Sequence, residues 1–144
     1  MPEHLNFGIC YQLEQVQIGL YIGSAPYWYD PDEFAIRTLS YDLRYHFGGL
    51  SKLSNRRPWF VKFGIVYIRV QDNEFNYSET HTLMLVPRVG RDFNFTKQLG
   101  AFIDIGPAVC LYEKNIPPSE YSSSLCEFFI IPSFGIGLFF RVFI

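Results

Sequence analysis

The chain has 144 residues, of which 49% are hydrophobic, 19% aromatic and 18% charged, and its formal net charge is -2. This length suits a single domain over residues 1–144. The near-neutral charge gives no basic footprint for nucleic acid, and no run approaches the roughly 18 consecutive apolar residues of a membrane helix. The three cysteines, Cys10, Cys110 and Cys126, have no metal-ligand spacing, and an odd number cannot all pair with one another.

The chain begins with a predicted hairpin. From 5 to 13 large apolar residues alternate with small or polar ones, and the alternation resumes from 16 to 23 after Glu14 and Gln15. Residues two apart lie on the same face of a strand, so each strand has one apolar face and one small, polar face. The following segment, 24–33, is rich in turn formers and aromatics and is predicted to be a loop.

The third strand is predicted from about Phe34 to Phe47, and its polar face carries charge. A helix is the competing interpretation. However, alternation at every step from Thr38 to Phe47 fits a period of two and not 3.6.

Four further strands with the same alternation follow, separated by connectors rich in charged or turn-forming residues. The strands are predicted over 59–67, 80–94, 99–112 and 128–144, and the connectors over 48–58, 71–79, 95–98 and 113–126. Beyond Tyr67 both faces turn apolar or mixed, so the phase of the fourth strand is ambiguous there. Seven consecutive strands predict an all-β, antiparallel, up-and-down fold.

The two faces differ in composition in a way that bears on the surroundings of the sheet. In a soluble, calycin-like barrel the large apolar face would be inside, whereas in an outer-membrane barrel it faces lipid and the interior is polar. The polar faces here hold many Gly and hydroxyl residues and few Lys and Glu, and aromatics gather toward strand ends, as interfacial girdles do. These observations favour the membrane.

Two stretches carry a resemblance to a known family. The alternation of Phe134, Ile136, Leu138, Phe140, Val142 and Ile144 resembles the C-terminal signature of bacterial outer-membrane β-barrels, which ends in an aromatic where this chain has Ile144. The segments VGRDFNFTKQLGAFIDIGP and PSFGIGLFFRV look like paired strands of small barrels of the OmpA-like β-barrel superfamily. The resemblance implies an up-and-down transmembrane β-barrel in the bacterial outer membrane. Its implied partners are outer-membrane lipid and the barrel assembly machinery, and it implies no particular activity.

The strand count leads to a further expectation. Bacterial barrels of this kind have even numbers of strands, with eight the minimum, whereas seven are recognisable here. Residues 1–4 also lack the features of an export signal. We therefore expect about eight strands, with the first strand and the signal upstream. The alternative is a further turn hidden in 65–77 or in the final segment. With the family's orientation, loops 24–33, 71–79 and 113–126 face outward and would contact an extracellular ligand.

Inward-pointing charged side chains form the first candidate site. They are Asp42, Arg44, Lys62, Arg88, Asp92, Asp104 and Arg141. An eight-stranded barrel is just wide enough for side chains to fill it, so opposite charges must pair or remain hydrated. The first hypothesis is a structural plug of ion pairs in the lumen. The alternative is a narrow, porin-like pore that conducts when those pairs rearrange.

Three prolines form the second candidate site. Pro87, Pro107 and Pro132 lie on the outward face of three consecutive strands, where each removes a hydrogen-bond donor from the sheet. Bulges that bend long strands are the simpler explanation. The sharper hypothesis is a lateral opening through which a lipid acyl chain reaches the lumen.

No catalytic residues, metal site or cofactor are predicted. Ser78, Glu79 and His81 lie near one end of the fifth strand, but strand geometry places Ser78 on the face opposite the other two. The chain has no phosphate loop, zinc spacing or nucleophile elbow. The sequence thus predicts a non-enzymatic outer-membrane barrel with a structural or loop-binding role. A lipid-handling or lipid-modifying barrel and a soluble ligand-binding barrel are the alternatives.

Overall fold

A computed structural model describes residues 5–24, 34–51, 56–72, 79–116 and 130–141. These residues form seven strands: β1 (Leu5–Leu13), β2 (Val16–Ser24), β3 (Phe34–Phe47), β4 (Trp59–Asp72), β5 (Glu79–Asn94), β6 (Leu99–Ile116) and β7 (Ile130–Phe140). Each strand pairs antiparallel with the next along the chain, in one sheet ordered β1 to β7. The predicted all-β, up-and-down fold is confirmed. No helix among the described residues is long and apolar enough to cross a membrane.

The seven described strands do not close into the predicted barrel, because β1 and β7 are the two edges of the sheet. The sheet is nevertheless strongly curled. The guanidinium carbon of Arg44 on β3 lies 4.7 Å from the ring centroid of Phe102 on β6. Strands three positions apart in a flat sheet are separated by about 14 Å. Curvature therefore brings the two side chains together over the inner face.

Two of the three connections at one end of the sheet are short: residues 14–15 join β1 to β2, and residues 95–98 join β5 to β6. Glu14, in the β1–β2 hairpin, has a φ of 45°, and Gly48, directly after β3, has a φ of 90°, a conformation that suits glycine. In the turn between β5 and β6 the Leu99 amide donates to Thr96 Oγ1 at 2.9 Å. We call this end, which holds residues 14–15, 48–51, 56–58 and 95–98, the short-connector end, and the opposite end the long-loop end.

The two faces of the sheet differ as the alternation predicts. Outward positions hold large apolar side chains on all strands, and those of β7 are among the most exposed, with Ile136 and Leu138 each 77% exposed. Inward positions on β3 to β6 are mostly buried and include most of the charged groups, such as Asp104 at 1% exposure, whereas inward positions on β1, such as Cys10, are exposed. The predicted assignment of faces is confirmed except at Tyr112, at the far end of β6.

The inner face has an apolar half toward the long-loop end. Its core consists of Ile36, Ile68, Met84, Val86 and Ala108. This cluster explains why the phase of β4 is ambiguous in the sequence: Ile68 and Val70 make the inner face apolar there, whereas Arg69 and Gln71 make the outer face polar. In the structure β4 continues with unbroken pairing to Asp72.

A bulge changes one predicted face on β6. Leu83 pairs with Tyr112 while the next residue, Met84, pairs with Cys110, so Leu111 is an extra residue in β6. Tyr112, predicted to point inward, is therefore outward and exposed. The strand also extends to Ile116, so the predicted polar loop from 113 begins later.

Several predicted segments lie outside the described residues. These are the loop segments 25–33, 73–78 and 117–129 and the terminal stretch 142–144, which holds the end of the last predicted strand.

Gly90→Ala is expected to lower the free energy of unfolding by about 1–3 kcal/mol, the usual cost of overpacking. A Cβ at Gly90 would lie 2.6 Å from the Ile103 carbonyl oxygen and would also contact the Phe60 ring. Urea unfolding followed by tryptophan fluorescence measures the change. Gly49→Ala is the matched control, because no atom lies within 4 Å of its added Cβ. Equal midpoints for the two variants would contradict the close packing described for β5.

Candidate functional site

The structure brings the seven predicted inward charges into two groups on the inner face. Asp42, Arg44, Lys62, Arg88 and Asp104 form one connected group, which we call the central network. Asp92 and Arg141 form a separate ion pair near the short-connector end, which we call the rim pair.

Asp104 on β6 is the centre of the central network. Its Oδ2 accepts a hydrogen bond from Lys62 Nζ at 2.7 Å, and its Oδ1 accepts one from Arg88 Nη1 at 2.7 Å. The register places Gly90 and Gly135 directly beside Asp104 on the neighbouring strands. A Cβ at Gly135 would lie 2.7 Å from Arg88 Nη1. The flanking glycines therefore provide the volume in which the two cations reach the carboxylate.

Asp42 extends the network toward β3. Its Oδ2 lies 3.6 Å from Lys62 Nζ and 3.4 Å from Arg44 Nη2. Gly64 is its register partner on β4, and an added Cβ there would lie 2.8 Å from Asp42 Oδ1. Lys62 is thus held between two carboxylates, one on β3 and one on β6.

Aromatic rings surround the Arg44 guanidinium. Its carbon lies 5.0 Å from the ring centroid of Phe60 and 4.7 Å from that of Phe102, and Nη2 donates to the Tyr21 hydroxyl at 3.2 Å. Cation–π contacts of this kind strengthen when the cation is removed from water. Our sequence analysis missed these three aromatic side chains. The sequence does indicate them indirectly, because in the alternation these large rings fall on a face otherwise made of small and charged residues.

Three further contacts connect β5 to β7 and to Arg141, which directly follows β7. Arg88 Nη2 donates to Ser133 Oγ, and in the rim pair Arg141 Nη2 donates to Asp92 Oδ2 at 3.1 Å. Arg141 also donates to Asn94 Oδ1, and its guanidinium carbon lies 4.2 Å from the ring centroid of Phe139. The inner charges therefore span β3 to β7.

His46 has partners on two separate segments, which the sequence does not reveal. It is buried, with Nε2 3.1 Å from Gln17 Oε1 and Nδ1 3.2 Å from the Arg57 carbonyl oxygen. The contact to Gln17 runs from β3 to β2 and the contact to Arg57 comes from the connector before β4. Neither partner can be identified without the register and the path of the connector.

The chemistry of the inner face is that of a structural network. Carboxylates and cations neutralise one another, as buried charges normally must. Arg44 Nε and Arg88 Nε are the guanidinium atoms of the network that are buried without a hydrogen-bond partner among the described residues. In that same part of the chain, no group of three or more His, Cys, Asp or Glu side chains could hold a metal ion.

The three prolines lie in one row across the sheet. Pro107 and Pro132 are register partners. Between β5 and β6 the pairing passes from Leu85 and Val109 directly to Val89 and Ile105, which leaves Pro87 opposite Pro107 in an unpaired interval. Directly opposed residues of an antiparallel pair can exchange two hydrogen bonds, and neither proline has an N–H to donate. The missing donors explain the interruption.

An outward cleft of about 280 Å³ lies at this interruption. Apolar residues on β4, β5 and β6 line it, including Phe63, Val89 and Ile105, together with parts of Lys62 and Arg88. The cleft therefore adjoins two members of the central network.

Glu79 and His81 share the outward face of β5, as predicted, and Ser78 lies outside the described residues. His81 Nε2 is 3.4 Å from Glu79 Oε2. Arg69 Nη2 donates to Glu79 Oε1 at 2.6 Å, and the Tyr67 hydroxyl contacts His81 Nδ1. The Glu79 carboxylate is thus paired with Arg69 in a polar cluster that is open to solvent.

No protein-family model matches the chain, and comparison with curated proteins and with solved structures found no significant match. The resemblance to OmpA-like barrels therefore stays a prediction.

Asp104→Asn is expected to lower the free energy of unfolding by about 3–5 kcal/mol, because it leaves Lys62 and Arg88 buried without their shared anion. Glu79→Gln is the matched control: it breaks an ion pair of similar length, 2.6 Å against 2.7 Å, but one that is exposed to solvent. Little change is expected for the control. Urea titration of the two variants beside the wild type makes the comparison. Equal losses would contradict the central position of Asp104.

Proposed function

We propose that the protein is a non-enzymatic integral β-barrel of the bacterial outer membrane, with a structural or loop-binding role. In this proposal an eighth strand, beyond the seven described, pairs with the edges at β1 and β7, and the outward face contacts lipid. The observation that carries the proposal is the distribution of side chains between the faces: large apolar groups are outward and exposed, whereas charged groups such as Asp42, Lys62 and Asp104 are inward and buried.

Water would strongly disfavour this distribution. Leaving a large apolar side chain exposed forgoes about 1.5–3 kcal/mol, and β7 alone has Ile136 and Leu138 outward. Burying a carboxylate such as Asp104 costs free energy as well. The arrangement is the reverse of that expected for a soluble, calycin-like barrel. Hydrocarbon outside the sheet removes the first penalty, and ion pairing offsets the second.

The filled inner face supports a plug rather than a porin-like pore. An apolar core occupies the half toward the long-loop end, and the central network occupies the other half. Ligand binding by the long loops is a proposal from their sequence, since 25–33, 73–78 and 117–129 lie outside the described residues.

Ile136→Arg is expected to destabilise the protein in lipid vesicles by about 2–4 kcal/mol, the cost of an arginine facing the middle of a bilayer. Leu50→Arg, in the connector between β3 and β4, is the matched control, with an expected cost of about 0–1 kcal/mol near the interface. Urea-driven unfolding from vesicles measures both. A protein that stays in the aqueous phase, with equal small effects of the two changes, would refute the membrane location.

The proline row favours a second candidate function. We propose as the alternative that the interval between β5 and β6 is a lateral opening, so that the barrel handles or modifies lipid. The supporting observations are the unpaired interval at Pro87 and Pro107 and the apolar cleft of about 280 Å³ over it. An acyl chain in this cleft would approach Lys62 and Arg88.

A lipid with a photoactivatable group on its acyl chain is expected to label Lys62, behind the cleft, as well as the outward Ile136. Asp42, on the inner face of β3, is the unlabelled control. Pro107→Val restores an N–H that can donate to Pro87, so it should reduce labelling of Lys62 and leave that of Ile136 unchanged. Mass spectrometry of the adducts locates the label. Labelling of Lys62 no higher than that of Asp42 would exclude the opening.

A further inference from the structure

One cation lies on the apolar outward face near the short-connector end. Arg91 on β5 is exposed, and its register partners are Trp59 on β4 and Ile103 on β6, both large and apolar. Outward positions elsewhere on this half of β4, β5 and β6 are apolar, so Arg91 breaks the pattern. An exposed arginine on such a face requires either water or an anion beside it.

Aromatic rings hold the Arg91 guanidinium without using its hydrogen-bond donors. The guanidinium carbon lies 5.2 Å from the ring centroid of Trp59 and 5.3 Å from that of Phe93. Contact with ring faces leaves the in-plane N–H groups free, and these groups match the geometry of a phosphate.

Among the described residues, Arg91 takes part in none of the ion pairs or side-chain hydrogen bonds. The adjacent acidic residue, Asp92, points inward and pairs with Arg141. Arg91 therefore combines a fixed position with unused donors and an uncompensated charge.

A cleft of about 480 Å³ adjoins Arg91 at the end of β5. Its lining includes Leu50 and Ser51 from the connector between β3 and β4, Phe93 and Phe95 beside Arg91, and Asp92, whose carboxylate is paired with Arg141. The cleft thus offers a cation, a hydroxyl and apolar side chains together, which suits a ligand with an anionic head and an apolar tail.

We propose that Arg91 and this cleft bind the phosphate of an anionic phospholipid, with the acyl chains lying against the outward apolar face. This inference rests on the proposed membrane location and goes beyond it, because it defines one lipid class and one position on the barrel wall. Charge complementarity selects the occupant. An anionic headgroup carries a net negative charge that neutralises Arg91, whereas the phosphate of a zwitterionic headgroup is already neutralised by its own ammonium group.

The test uses the full chain in nanodiscs of mixed phosphatidylglycerol and phosphatidylcholine. Native mass spectrometry then counts the lipids that each protein retains. The wild type is expected to retain phosphatidylglycerol preferentially, and Arg91→Gln is expected to reduce that preference about tenfold, as the loss of hydrogen bonds to a charged group predicts. Lys97→Gln is the matched control, since it removes the same charge at the same end of the sheet without altering the cleft.

The outcomes separate this inference from the proposed function. The site is supported if the wild type and Arg91→Gln insert at equal yield and only Arg91→Gln loses the preference for phosphatidylglycerol. Equal loss in Arg91→Gln and Lys97→Gln, or no preference in the inserted wild type, overturns the site and leaves the membrane location standing. Displacement of phosphatidylglycerol by inorganic phosphate would identify a free-phosphate site and overturn the lipid assignment. Failure of the wild type to insert would overturn both proposals.

Discussion

Asp104 is the group on which the inner face depends, because it neutralises two cations from two different strands. Lys62 on β4 and Arg88 on β5 both donate to its carboxylate at 2.7 Å. A carboxylate at 1% exposure is stable only with such partners. The cations reach it because glycines flank it on β5 and β7 and because the sheet curls. Charge, glycine positions and curvature therefore depend on one another.

Charges on the inside determine what the outside of the sheet must contact. Once the concave face holds the ion pairs, the aromatic rings around Arg44 and a separate apolar core, most of the remaining large side chains point outward. A strand with period two cannot move a single residue to the other face without a bulge, such as the one at Leu111. The apolar exterior is thus a consequence of the whole pattern, and it is the basis for proposing a lipid environment.

The sequence was sufficient for the seven strands, the Glu14 hairpin and the two faces, since alternation depends only on residues close along the chain. The sequence was insufficient for side-chain contacts between segments that are distant along the chain. The pairing of Asp104 with Lys62 and Arg88 requires the register of three strands, and the contacts of His46 require the path of a connector. Tyr112 was assigned to the wrong face because the bulge in β6 shifts the alternation by one residue.

Two residues of β5, Pro87 and Arg91, depart from the apolar pattern of the outward face. Pro87 weakens the pairing with β6, and Arg91 places a charge on the apolar face. Such departures from local rules concentrate at functional sites. The two residues share one face and lie four positions apart, about 14 Å along the strand. A phospholipid with its phosphate at Arg91 could extend an acyl chain past Val89 to the proline row. The two proposed lipid contacts are therefore compatible with one bound molecule, and loss of the headgroup contact should then reduce acyl-chain access to Lys62 as well.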